Sequence, residues 1–203
     1  MKLLFSLIIL LLPSLTWAAY ISAVGMQDQS NPEATGFTTG SKSGTGGGLI
    51  LGGHPLFPLE VELGALYFTR SWEDNTNNKA NIETTQVLQV PLTFHLFIIP
   101  HLAIGVGGYY SWGQGSIAQT GQVPNSNLSY TNYGIKSEDY GAVGDVQLRF
   151  HLYHTFFLRL EYRYTQSLGN LALTPGNNFT YRDSQFLAGF TMIFGGHSPK
   201  VSN

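Results

Sequence analysis

Histidine is the side chain that most readily ligates a metal or moves a proton near neutral pH, and this sequence carries six: His54, His95, His101, His151, His154 and His197. Two sit in an echoed tripeptide, Phe94-His95-Leu96 and Phe150-His151-Leu152, each just before a short connection. His54, His101 and His154 lie within short connections, and His197 follows the last apolar stretch. No His-x-x-x-His spacing is available to put two imidazoles on one helix face. Histidines on separate turns are too far apart for more than a pair to share a tetrahedral ion, so these read as surface turn residues, with no metal centre and no cofactor.

General-base chemistry would then fall to carboxylates in polar segments, Glu73, Asp74, Glu83, Glu138 and Asp139. Nothing in the sequence marks a neighbour that would raise their pKa to a useful value, and no enzyme is expected. A third charged set is more ordered. Glu60, Glu62, Arg70, Asp145, Arg149, Arg159, Glu161 and Arg163 all share the polar parity of alternating segments, four acids against four bases. Such a set can pair across a closed interior, where unpaired ions of one sign would each cost several kcal/mol to desolvate. The plain reading is a closed polar core; the functional alternative is a gate whose salt bridges rearrange.

Strands must position these groups. The chain has 203 residues, 43% hydrophobic and 11% charged, as expected for one folded domain. Mean hydropathy is +0.01 and the only long apolar run is Leu3 to Leu12, which excludes a bundle of spanning helices of about 20 apolar residues each. Twenty-four glycines, thirteen phenylalanines and eleven tyrosines favour strands and turns. Zero cysteines exclude a disulfide framework, a thiolate metal site and a lipid-modified cysteine. A net charge of −2 with no basic cluster leaves no footprint for nucleic acid. Lys2, the apolar run, Pro13 and Thr16-Trp17-Ala18 make residues 1–18 a secretory signal peptide cut after Ala18. The body is then 19–196, with a short polar tail at 197–203.

Period-two alternation predicts eight strands: Tyr20 to Met26, Thr45 to Gly53, Leu59 to Trp72, Val87 to Leu96, Leu102 to Trp112, Tyr140 to Leu152, Phe156 to Gln166 and Gln185 to Phe194. In the third, Val61, Leu63, Ala65 and Tyr67 oppose Glu60, Glu62, Gly64 and Arg70. In the fourth, Leu88, Val90, Leu92, Phe94 and Leu96 oppose Gln89, Pro91, Thr93 and His95. The connections alternate between short links (54–58, 97–101, 153–155) and long polar ones (27–42, 73–83, 113–139, 167–183). An up-and-down barrel sends odd and even connections to opposite rims, and membrane barrels have one short-turn and one long-loop rim. The fold class expected is therefore all-β, an eight-stranded antiparallel transmembrane barrel with short periplasmic turns and long extracellular loops.

The apolar parity carries no charge in these strands, as a lipid-facing wall requires, since charge there costs on the order of 2 to 4 kcal/mol at the midplane. Tyr67, Tyr110, Trp112, Tyr140, Tyr162 and Tyr164 fall toward the long-loop end on that parity, and Phe57, Phe94, Phe150, Tyr153, Phe156 and Phe194 toward the other. Two aromatic belts one strand apart fit a bilayer. In the last strand Phe186, Ala188, Phe190, Met192 and Phe194 alternate before a polar tail. Here the sequence resembles the eight-stranded bacterial outer-membrane β-barrel proteins, the OmpA-like and Ail/OmpX-like group of porin-family barrels in Gram-negative cells.

That resemblance implies an outer-membrane, cell-surface location. It also implies that Phe186, Phe190, Met192 and Phe194 serve as the signal read by the barrel-assembly machinery. The partners expected are outer-membrane lipid and lipopolysaccharide, with an extracellular ligand engaged through the loops, and a monomeric state. Some barrels of this size modify lipid A with a histidine near the outer leaflet; this chain places no histidine in its long loops or at their strand ends. The function expected is structural or surface interaction around a mostly occluded polar lumen. The alternative is a small channel or binding barrel for hydrophobic or small polar solutes, with room left by Ala103, Gly105 and Gly107. Tyr130, Tyr133 and Tyr140, around Lys136, either contact a partner or prop the longest loop. The sequons at Asn127 and Asn178 mark loops only.

Overall fold

Alternation with a period of two builds eight long strands, because successive side chains must point to opposite faces. They are β1 (Ala19–Ala34), β2 (Thr39–Leu56), β3 (Leu59–Asp74), β4 (Asn81–Ile99), β5 (Leu102–Gly121), β7 (Glu138–Tyr153), β8 (Phe156–Ser167) and β9 (Phe179–Phe194). A short β6 (Ser126–Leu128) and a single helical turn, α1 (Tyr130–Tyr133), lie between β5 and β7. The structure, a computed structural model, describes residues 19–35, 39–56, 58–75, 81–121 and 126–194. The expected signal peptide and tail, and Phe57, lie outside the described residues.

All neighbours pair antiparallel, and the sheet closes on itself through β1 and β9, from Ala19↔Phe194 to Ala34↔Phe179. Closure abolishes sheet edges. The result is an eight-stranded up-and-down barrel, with β6 an outlying addition to β5 through Ile117↔Leu128. The strand ends that join β2 to β3, β4 to β5 and β7 to β8 make one rim; those that join β1 to β2, β3 to β4, β5 to β7 and β8 to β9 make the other.

The wall is turned inside out relative to a water-soluble protein. Leu92 is 44% exposed and Phe190 60%, while Glu60 is 1% exposed and Arg159 is fully buried. Leu51, Leu63, Phe94, Ile104, Val106 and Val146 extend the exposed apolar face around the barrel. An exposed apolar area of this extent suits lipid tails and not water. Tyr67, Tyr110, Tyr140, Tyr162 and Tyr164 point outward, with Trp112 half-buried against Tyr110. Phe94, Phe150, Tyr153, Phe156 and Phe194 are exposed toward the opposite rim, and Phe186 lies outward on the strand position paired with Tyr162.

The strands run well beyond the lengths expected. Most of the segment read as a long link at 27–42 is strand, as Ser30↔Asp183 and Asn31↔Arg182 show, and β5 continues to Gly121. A spanning strand needs only about 9 to 11 residues, whereas β5 has 20. Past the lipid zone the outer face can be polar, so the apolar signal ends where the hydrogen-bond ladder does not. Arg182 and Glu33 pair on that outer face at 2.6 Å, both about half exposed.

Candidate functional site

Among the described residues the interior concentrates ionisable groups away from water, and it is layered by height. Nearest the short-turn rim, β3, β7 and β8 bring Glu60, Glu62, Asp145, Arg149, Arg159, Glu161 and Arg163 together, with Tyr20 from β1 and His95 from β4. Arg159 forks onto Glu62, Nη1 to Oε1 at 2.6 Å and Nη2 to Oε2 at 2.7 Å, and also donates to Glu161. Arg149 forks onto Glu60 at 2.7 and 2.6 Å and reaches Glu62 Oε1 at 3.1 Å, while its guanidinium lies 4.5 Å from the Tyr20 ring. Tyr20 donates to Glu62. Arg163 turns to Glu161 on its own strand at 2.6 Å. Paired forks of this kind offset part of the desolvation cost and fix which strands face each other.

Glu62 thus meets Arg159 across the lumen. Glu60 takes Arg149 instead, and Arg70 is absent from this tier. His95 stands in its place. Its Nε2 lies 2.8 Å from Asp145 Oδ1, and the side chain is fully buried. Histidine at this position is not a turn residue, which corrects the expectation from the sequence; its polar parity opposite Leu96 was the signal. His54 also reaches inward, with Nε2 3.0 Å from Glu60 Oε2, though it stays partly exposed at the rim. The room expected at Gly105 is occupied, because any Cβ there would collide with Asp145 and the His95 ring.

The middle tier is apolar. Val24, Met26, Ile50, Leu66, Phe68, Val87 and Leu187 form a buried cluster on the inward parity of β1 to β4 and β9. A polar core was expected; Leu66 and Phe68 interrupt the polar parity of β3 between Glu62 and Arg70, and burying them inside the barrel is what the sheet geometry demands.

Above that cluster lies a second ionic group. Arg70 Nη2 reaches Asp183 Oδ2 at 2.5 Å, Ser30 Oγ lies 2.7 Å from Asp183 Oδ1 and 3.0 Å from Asp28 Oδ2, and the Arg70 guanidinium stacks 4.1 Å from the Tyr181 ring. Tyr109 and Ser167 donate to Asp139 Oδ2 at 2.8 and 3.0 Å. Asp74, Glu83 and Asp139, read as loop carboxylates, are buried inside strand extensions. Glu73 instead pairs with Lys42 at 3.2 Å, and Glu138 is exposed, accepting from Tyr110 at 2.7 Å. No histidine stands beside these carboxylates among the described residues.

The long-loop mouth is stoppered by side chains. Trp72, Ile117, Ile135, Leu171, Phe179 and Tyr181 form a buried cluster, with Tyr130 and Tyr133 packed on it. Trp72 meets Tyr181, Tyr133 and Phe179 edge-on at 5.6, 6.0 and 6.4 Å between centroids, a favourable arrangement for aromatic quadrupoles. Ser129 caps α1 by accepting from the Asn132 amide at 3.1 Å, and Gly134 ends it at φ 86°. Tyr130 bonds Thr85 and lies where a side chain at Gly113 would stand. Burial pushes the Tyr130 and Tyr133 phenols above their ordinary values, so both stay neutral. These tyrosines prop and seal the loop, and Lys136 ties it to the Asn170 carbonyl at 3.0 Å. The cavity left beneath Tyr130, bounded by Arg70, Ser111, Asp139 and Leu171, holds about 10 Å3, room for about one water.

No protein-family model and no curated protein matches the chain. Solved structures do resemble it. The outer membrane protein OprG from Pseudomonas aeruginosa is similar with a TM-score of 0.54 at 13% identity, over 88% of this chain and 97% of that one. Neisserial surface protein A (NspA) is similar with a TM-score of 0.50 at 12% identity, over 87% of this chain and 97% of that one. Both are eight-stranded outer-membrane barrels, and at these identities the likeness is one of fold.

Proposed function

We propose that the chain is an integral outer-membrane barrel with a closed interior, exported by its leader at 1–18, monomeric and non-enzymatic. Its role is structural or surface-facing, carried by the strand ends and loops beyond the tyrosine belt. The observation that carries this reading is double closure: the ionic tier fills the lumen near one rim, and the Trp72 cluster stoppers the other. Leu168 and Leu173, exposed between β8 and β9, supply apolar contact points for lipopolysaccharide or another surface. Phe186, Phe190, Met192 and Phe194 present the outward face of the last strand to the barrel-assembly machinery.

Planar-bilayer recording of the purified barrel tests the reading. Closure predicts no steady conductance, whereas uniform ohmic steps would replace it with a small channel. Mass spectrometry of lipid A from cells with and without the protein should show no difference; a new species would establish an enzyme.

A further inference from the structure

We propose that the lower tier holds a divalent transition-metal ion of the zinc class, bound by His95 Nδ1 and by one carboxylate oxygen each from Glu60 and Glu62. This goes beyond the surface role and does not depend on it. Three observations converge. His95 Nδ1 is buried and has no hydrogen-bond partner. It lies 3.9 Å from Glu60 Oε1 and 3.9 Å from Glu62 Oε2, and the three ligand atoms lie within 4.8 Å of one another. A tetrahedral zinc with ligands at about 2.0 to 2.2 Å sets ligand atoms roughly 3.4 Å apart, so each of the two histidine–carboxylate distances must close by about half an ångström. The other ring nitrogen lies 2.8 Å from Asp145 Oδ1, the outer partner that metal-ligating histidines usually have to fix tautomer and orientation. With Nε2 donating to Asp145, a neutral ring presents the Nδ1 lone pair to two carboxylates, an opposition that a bound metal ion or a proton on Nδ1 would resolve.

Charge supports a cation here. With a neutral imidazole, Glu60, Glu62, Asp145 and Glu161 exceed Arg149, Arg159 and Arg163 by one negative charge. The two arginines forked onto Glu60 and Glu62 share their oxygens with the ion, since each oxygen has two lone pairs. A proton on Nδ1 is the competing occupant. His54, whose side chain is partly exposed 3.0 Å from Glu60, marks the short-turn rim as the side from which an ion would enter.

The full chain, purified in detergent and stripped with chelator, is titrated with Zn2+ by calorimetry and with Co2+ by visible absorption. One equivalent should bind, with Co2+ bands of a tetrahedral site. His95→Ala should weaken binding by at least about tenfold, while His101→Ala leaves it unchanged. Because His95→Ala could impair folding, nitrogen NMR of the native chain gives a second readout: the His95 Nδ1 resonance should shift on adding Zn2+. Absence of stoichiometric binding, binding that survives His95→Ala, or a His95 ring that keeps protons on both nitrogens with Zn2+ present would each overturn the proposal.

Discussion

The two closures of this lumen are made of different materials. Near the short-turn rim, arginine forks from β7 and β8 cross to carboxylates on β3, so every partner is fixed by a strand. At the long-loop mouth the seal is an aromatic cluster, with Trp72, Phe179 and Tyr181 from strands and Ile135, Leu171, Tyr130 and Tyr133 from connecting segments. The ionic seal is directional and intolerant of losing one member, because a partner left behind is a buried charge. The aromatic seal is non-directional and fails by degrees as area is lost. A barrel can therefore be stiff at one end and openable at the other without any change in its ladder.

That contrast is open to direct attack. Arg159→Ala leaves Glu62 and Glu161 short of their shared partner, and should cost about 4 kcal/mol in urea unfolding of the barrel. Trp72→Ala should cost about 3 kcal/mol, but read locally: faster protease cleavage between β5 and β7 and the appearance of bilayer conductance, with the ladder intact. If Trp72→Ala instead lowers the global midpoint as much as Arg159→Ala, the two seals are not separable. Pairing Glu62→Gln with Arg159→Met removes both charges of that fork and should restore roughly half of the loss, to about 2 kcal/mol. Ser129→Ala removes the cap of α1 and should cost about 1 kcal/mol, visible only in hydrogen exchange of residues 130–134.

The smallest effect is one of pH. The Tyr133 phenol is held neutral by burial, above its ordinary value of 10.0, so folded plug binds its proton more tightly than opened plug does. Its stabilising contribution is complete below that value and is lost progressively as pH rises past it. Trp72 fluorescence should report opening of the mouth above pH 10 before the ladder melts; simultaneous loss of both would merge the two regions into one cooperative unit.

Much of this architecture was legible in residue parity. Leu92 and Phe190 face outward and Glu60 and Arg159 inward because a strand has no other way to separate two chemistries. The strand ends were less legible: past the lipid zone Asp28, Asp139 and Asp183 sit in polar stretches that resemble loops, and only the register of the neighbouring strand shows that they are inside. His95 was misplaced for a different reason. Its parity pointed to the lumen, but its closeness to a turn suggested the surface, and parity won because β4 continues to Ile99. Of the aromatic stopper only Tyr130 and Tyr133 stood out in the sequence, since Trp72, Ile135 and Phe179 come from three distant segments and meet only once the barrel is closed.

The pairing of Ala19 with Phe194 also bears on how the barrel is assembled. The seam joins the first and last strands, so until β9 is delivered the growing sheet has two raw edges, each able to pair with a neighbouring chain. This seam is made over the longest separation among the described strands, a kind of contact that forms slowly. Whatever shelters those edges in the meantime governs the yield of this protein as much as any interaction in its finished form.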